Sequence, residues 1–247
     1  MKIAVISDIH GNMTALDAVM NDIKENGCEQ IFCLGDYVMA GPEPIETLNW
    51  FFDKSFDSNF TMIQGNTDLM IADYNEDLFL TLKSKAPIMA EALKADSGII
   101  NHIQRDFLKT LPIQKEVFVN GVKFLLVHGS PRRNNEDIMP ETPIKEVEKF
   151  IEGVDADVIL CGHTHIPCGF QTSTKQTVVN VGSVGRPFTA EPKSCYLIIT
   201  IVEGKCLFEH RFVEYDNEKA ADILKKRDFI GTYKLADTLI NPKIRHF

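Results

Sequence analysis

Two hydrophobic periods alternate along the first third of the chain. Lys2–Ser7 is a compact apolar run that meets charge at Asp8 and predicts a strand. Beyond Asn12, the apolar residues Leu16, Val19, Met20 and Ile23 fall at helical spacing and define one buried face, with Gly27 as the terminator. Gln30–Leu34 predicts a second strand entering the turn Gly35-Asp36. Pro42 and Pro44 punctuate a loop ahead of a helical stretch holding Ile45, Leu48, Trp50 and Phe51. Phe60–Gln64 predicts a third strand, closed by Gly65-Asn66. Strands separated by helices at this pace indicate parallel βαβ units.

The pattern then changes twice. Residues 69–111 read as a helical insert over one edge or mouth of the core. After it, Glu116–Val119 and Val122–His128 flank Asn120-Gly121, a strong hairpin signal. Pro143–Gly153 is helical, Asp157–Cys161 is an apolar strand running into Gly162, and Cys168 to Tyr215 is mostly strands, with a hairpin around Glu203-Gly204-Lys205. A last helix is expected near Asn217–Ile230. With no repeat or convincing linker, the simplest organisation is a single domain over 1–247, two sheets face to face with helices outside.

Composition narrows the function. Hydrophobic residues make up 44% of the 247-residue chain, and a mean hydropathy of −0.08 suits a globular protein with a sizeable core. The formal net charge is −9, which repels a polyanion and argues against stable gripping of duplex nucleic acid. No run is long enough for a membrane span and no secretory leader is apparent, so no membrane partner is expected. The 6 cysteines form no Cys-x-x-Cys pair, which argues against a zinc ribbon and fits reduced thiols in a cytoplasmic protein. Homo-oligomerisation is left open.

The chemistry lies where the strands end. Asp8-Ile9-His10 follows the first strand, Gly35-Asp36 the second, Gly65-Asn66 the third, His128-Gly129 a later one, and Gly162-His163-Thr164-His165 the one after that. Five strand exits therefore carry seven metal-capable side chains to one edge, where open α/β sheets gather their ligands. Taken singly, each piece has a plain alternative, such as a turn dipeptide or a core histidine. The ordered set does not.

This order resembles the calcineurin-like metallophosphoesterase superfamily over residues 8–165, and Asn180-Val181-Gly182-Ser183-Val184-Gly185-Arg186-Pro187 is similar to the segment after the metal motifs in its compact prokaryotic phosphodiesterases. The resemblance implies an α/β fold, a four-layer α-β-β-α sandwich of two mixed sheets flanked by helices, with the metal site at the strand C-terminal ends. It implies one metal held by Asp8, His10, Asp36 and His165, and a second held by Asp36, Asn66, His128 and His163, with Asp36 bridging. Asp36, Asn66 and His128 then belong to the catalytic centre. Such mixed nitrogen and oxygen sets suit Mn²⁺ (the first choice), Fe, Zn²⁺, Co²⁺ or Ni²⁺ better than Mg²⁺ or Ca²⁺. The implied reaction is hydrolysis of small phosphodiesters or phosphoanhydrides by a metal-bridging hydroxide, the metals meeting the phosphoryl charge that an acidic chain otherwise repels.

One position departs from the pattern. Many members carry His after Gly-Asn, where it protonates the leaving group; here the residue is Thr67. Leaving groups that need little protonation are then favoured, and nucleotide-like substrates such as dinucleoside polyphosphates are attractive. Asp68, His102 and a metal-bound water are alternative proton sources; His210 and His246 carry no motif. Candidate substrate contacts are Asn12, whose plain reading is a helix cap, Asp68, Arg132 with Arg133, and Arg186. The competing readings are a non-catalytic protein-binding scaffold of the same fold, and a nuclease.

Overall fold

The computed structural model describes residues 1–243. The chain begins with β1 (Lys2–Ile6), α1 (Met13–Glu25), β2 (Gln30–Cys33), α2 (Pro44–Lys54) and β3 (Phe60–Met62). Asn12 caps α1 by accepting the Ala15 N–H, and Ala15, Leu16, Val19 and Ile23 bury its apolar stripe. Pro44 opens α2, where a missing N–H costs nothing. Four helices follow, α3 (Asn66–Ala72), α4 (Glu76–Lys85), α5 (Pro87–Ile99) and α6 (His102–Thr110). The helical stretch starts earlier than its apolar pattern suggested, because Asn66 is itself the first residue of α3.

The hairpin β4 (Gln114–Val119) and β5 (Val122–Val127) turns through Asn120 and Gly121, both at positive φ (47° and 84°), which matches the right-handed twist of the strands. Next come α7 (Ile144–Phe150), β6 (Val158–Cys161), β7 (Cys168–Gln171), β8 (Thr177–Asn180), β9 (Ser194–Val202), β10 (Lys205–Val213), α8 (Asn217–Lys225) and α9 (Thr232–Ile240). The expected last helix ends earlier, at Lys225, and a further helix, α9, follows beyond its expected range. The chain leaves α8 at Lys225 and re-enters a helix after Gly231, whose φ of 106° only glycine adopts readily.

Two five-stranded mixed sheets result, ordered β10-β9-β1-β2-β3 and β4-β5-β6-β8-β7. The strands β1, β2 and β3 are parallel, as are β5, β6 and β8, while the flanking strands run antiparallel. Alternation along β1 explains the layers. Ile3 and Val5 join Phe32, Leu34, Phe124, Leu126 and Leu160 between the sheets, whereas Ala4 and Ile6 face the cluster shared with the helices. Being covered on both faces, β1 reads as an unbroken apolar run. The layers are α-β-β-α. Among the described residues no helix is long and apolar enough to cross a membrane.

Candidate metal centre

Backbone hydrogen bonds alone lace the loops after the strands together. Asp8 N donates to Gly35 O (3.0 Å), and Ile9 N and His10 N both donate to Asp36 O (2.8 and 2.9 Å). Gly162 N donates to His128 O (2.8 Å) and Gly185 N to Asp8 O (3.0 Å), so strand ends of both sheets meet at one edge. The turns are forced. Asp8, His10, Asp36, His163 and His165 all have φ between 48° and 68°, a region that non-glycine residues rarely occupy and that clusters at functional sites. Gly65 allows a close approach, since a Cβ there would lie 2.1 Å from Asp36 Oδ1.

Asp68 holds this framework. It is fully buried, its Oδ2 accepting the Asp36 and Gly65 N–H groups (2.8 and 2.9 Å) and its Oδ1 the Tyr37 N–H (2.9 Å). Both oxygens are therefore committed to backbone.

Three imidazoles are oriented by the same device. His10 Nδ1 lies 2.9 Å from Met39 O, His128 Nδ1 2.8 Å from Leu34 O, and His165 Nδ1 within hydrogen-bond reach of Arg186 O. Because a carbonyl only accepts, each Nδ1 carries the proton, and each Nε2 is turned inward. His10 Nε2 and His165 Nε2 stand 3.1 Å apart, His128 Nε2 lies 3.0 Å from Asn66 Oδ1 and 3.3 Å from Asp36 Oδ2, and Asp36 Oδ2 is 3.7 Å from His10 Nε2. Asp8 Oδ1 sits between the groups, 3.3 Å from His165 Nε2, 3.8 Å from His128 Nε2 and 3.9 Å from His10 Nε2, yet it accepts no hydrogen bond of good geometry.

His163 is arranged differently. Its backbone N–H donates to Asp8 Oδ2 (3.0 Å), its ring meets the His128 ring edge-on at 5.3 Å, and its Nε2 lies 3.3 Å from Asp137 Oδ1.

The electrostatics call for a cation. Asp8 and Asp36 are buried carboxylates with ring nitrogens around them and no lysine in the lining. Burial opposes charge on His128, but Asp36 and Asp8 outweigh it and lift its pKa to about 10. Burial and the His165 charge push His10 down to about 4. One histidine is thus drawn to carry a proton among the carboxylates while another turns its lone pair toward a second lone pair. Bound divalent ions satisfy both demands, and thiolates take no part. Two compact donor groups, Asp8–His10–His165 and Asp8–Asp36–His128, have this chemistry.

A cavity of about 240 Å³ opens onto these groups, lined by His10, Asp36, Asn66, His163 and His165, and walled by Thr67, Met89, Arg186 and Phe188. Arg186 is the predicted substrate contact that reaches it. The other three do not. Asn12 is fully buried, capping α1 and donating to Gly185 O (2.9 Å). Asp68 is consumed by backbone N–H groups, and Arg132 is paired with Glu136 over the Phe150 ring, away from the cavity. Arg133 lines a different depression. His102 is exposed at the start of α6 and is absent from the cavity wall. His210 bonds Asn180 O (2.7 Å), and His246 lies outside the described residues.

Three contributors had no sequence signal: Asp137 in an irregular loop, Met89 on α5, and Phe188, whose ring stacks on His165 at 4.7 Å and 10°.

Residues 1–204 match the calcineurin-like phosphoesterase superfamily domain. The chain belongs to that superfamily. It is 32% identical over 243 residues to an uncharacterised protein of Methanocaldococcus jannaschii, covering 91% of this chain and 93% of that one. In fold it is similar to a hypothetical protein from Pyrococcus horikoshii OT3, with 24% identity, a TM-score of 0.86 and 99% of each chain covered. A metallophosphoesterase from Sphaerobacter thermophilus is similar at 22% identity and a TM-score of 0.75, covering 97% of this chain and 98% of that one. Membership brings phosphoester hydrolysis as the general activity, divalent metal ions as cofactors and small phosphorylated molecules as substrates. The calcineurin-like phosphoesterase domain supplies β1 to β9 here, and α8 and α9 lie beyond it.

Proposed function

We propose that the protein is a dinuclear metal phosphoesterase acting on small phosphodiesters or phosphoanhydrides, dinucleoside polyphosphates among them. One observation carries the reading: the Nε2 atoms of His10 and His165 face each other at 3.1 Å beside Asp8 Oδ1, a buried anionic oxygen without a hydrogen bond. Asp8, His10, Asp36 and His165 hold one ion, and Asp36, Asn66, His128 and His163 the other. Asp36 suits the bridging position because its Oδ2 faces both His10 and His128. When bound, such a pair supplies Lewis acidity to a phosphoryl group and to water. The mixed donors favour Mn²⁺ first, then Fe, Zn²⁺, Co²⁺ or Ni²⁺.

The protein's own groups set the substrate preference. Thr67 Oγ1 donates to Val38 O (3.0 Å) and its N–H to Asp36 Oδ1 (2.8 Å), so its side chain secures the site and gives no proton to a leaving group. Arg186, whose charge is felt at His10, offers a guanidinium to a phosphoryl oxygen. A leaving group stable as an anion, such as a phosphate or an aryl oxide, fits this wall.

The test is hydrolysis by metal-stripped protein reloaded with Mn²⁺, Zn²⁺, Fe²⁺, Ni²⁺ or Mg²⁺. The panel holds an aryl phosphodiester, an aryl monoester, cyclic nucleotides and a dinucleoside polyphosphate. Metal-restored cleavage of the diester or polyphosphate is expected. Efficient monoester cleavage with the others ignored would overturn the substrate reading, and silence with every metal would overturn the enzyme reading.

Asp137 is the partner through which His163 joins the site. With its Nε2–H directed at Asp137, His163 presents Nδ1 as the ligand, the reverse of the other three rings. Asp137→Ala is expected to weaken metal binding by about 10–100-fold, the usual loss when a ligand's orienting partner is removed. Competition with a chelating dye measures it; unchanged affinity for both ions would discard the role.

A further inference from the structure

The cavity over the metal centre is small for a whole substrate. At about 240 Å³ it accommodates a phosphoryl group and little else, since sites for complete small molecules run to roughly 300–1,000 Å³. A second depression of about 380 Å³ shares Phe188 with it as a wall. The other side of this depression is α9. Lys234, Asp237, Thr238 and Asn241 recur at helical spacing and form one polar stripe of that helix, while Leu235, Ala236 and Leu239 are buried against the core.

The stripe has a definite chemistry. Lys234 and Lys243 line the depression, and neither forms an ion pair among the described residues. On a chain of net charge −9, such lysines beside an anion-processing centre mark a place for a second negative group. The carboxylate opposing them, Asp237, is engaged by the Asn241 side-chain amide (2.9 Å). Tyr233 is 73% exposed at the rim, and with Phe188 it provides aromatic surface for a flat ring. All of these except Phe188 lie past residue 204, outside the superfamily domain, so they belong to what this chain adds to the shared centre.

We infer that the depression between Phe188 and α9 is a nucleoside phosphate subsite, holding the part of the substrate that is not being hydrolysed. Its base lies on Tyr233 and Phe188, and Lys234 with Lys243 meet the phosphate next to the scissile group. The inference deepens the phosphoesterase reading and rests on it for which phosphate is cleaved.

The experiment titrates AMP, and separately inorganic phosphate, into metal-loaded full-length protein by calorimetry, for wild type, Tyr233→Ala and Lys234→Ala. Both substituted side chains are exposed, and thermal unfolding verifies that the variants remain folded. Wild type is expected to bind AMP about tenfold or more tighter than phosphate, the scale of one base stacked on an aromatic ring. Tyr233→Ala is expected to lose most of that preference while still binding phosphate, and Lys234→Ala to weaken AMP binding through its phosphate. Equal affinity for AMP and phosphate in wild type overturns the subsite, as does an unchanged preference in Tyr233→Ala. Aryl phosphodiester hydrolysis by the same wild-type preparation keeps the two readings apart. Its absence counts against the phosphoesterase alone, whereas an AMP preference lost on removing Tyr233 supports the subsite either way.

Discussion

Asp36→Asn is expected to lower kcat/KM on an aryl phosphodiester by about 10³-fold, through loss of several kcal/mol of metal-dependent charge stabilisation at about 1.36 kcal/mol per decade. Asparagine keeps the shape and can still accept the Thr67 N–H that now reaches Asp36 Oδ1 at 2.8 Å. What changes is the other oxygen. Oδ2 lies 3.3 Å from His128 Nε2 and 3.7 Å from His10 Nε2, and the amide nitrogen that replaces it has no lone pair for a cation where the carboxylate offers an anionic oxygen. Burial opposes ionisation of Asp36, but the His128 charge and hydrogen bond, His10 and the Thr67 N–H outweigh it, holding the carboxyl well below the usual range. The group is therefore an anion at any working pH. Metal content by atomic absorption should fall below that of wild type, with the far-ultraviolet circular dichroism unchanged. Wild-type rate with full metal occupancy would remove Asp36 from the proposed centre.

The legibility of this protein divides along a physical line. Side chains that sit at the end of a strand are announced by the strand. The apolar runs before Asp8, Asp36, His128 and His163 are buried on both faces, which makes them uniform and easy to see, and the loops that follow are short. The two-sheet, helix-flanked architecture was legible for the same reason. Which strands share a sheet was not, because β9 reaches back across the chain to pair with β1. Residues held by distant backbone were misjudged. Asp68 looked like a proton source, but its partners Asp36 and Tyr37 lie 32 and 31 positions away, and no local pattern records such bonds. Asn12 had two readings from the start, and its local bond to Ala15 N–H shows the cap. Asp137, Met89 and Phe188 come from irregular loops and from a helix whose periodicity tells only which face is buried. The α9 helix was lost because the turn at Gly231 interrupts what otherwise reads as one helix and a tail.

Arg227→Ala is expected to cost about 3–5 kcal/mol of stability, the usual penalty for leaving a buried charge without its partner. Asp96 on α5 is fully buried and accepts from the Arg227 guanidinium and from the Ala40 N–H (3.0 Å). Arg227 also donates to Gly41 O (2.8 Å), so the pair ties the helices over the sheet and the segment after α8 to the Met39–Gly41 turn. That turn matters to the site because Met39 O orients His10. Against a typical total of about 5–15 kcal/mol the loss is large, and at about 2–4 °C per kcal/mol for a chain of this size Tm should fall by about 10 °C. The pH dependence has a definite sign. Burial raises the Asp96 pKa even with Arg227 present, and removing the guanidinium raises it further. A carboxyl whose folded pKa exceeds its unfolded value of about 3.9 takes up a proton on folding, so stability declines as pH rises between the two values. The deficit relative to wild type should therefore be smaller at low pH than at neutral pH, and Asp96→Asn should restore much of it in the double variant, because the uncompensated charge is then gone. Urea unfolding of the four proteins at two pH values measures all three effects. A deficit independent of pH and untouched by Asp96→Asn would mean that Arg227 acts through packing, its guanidinium lying 5.1 Å from the Phe229 ring centroid, and not through the buried carboxylate.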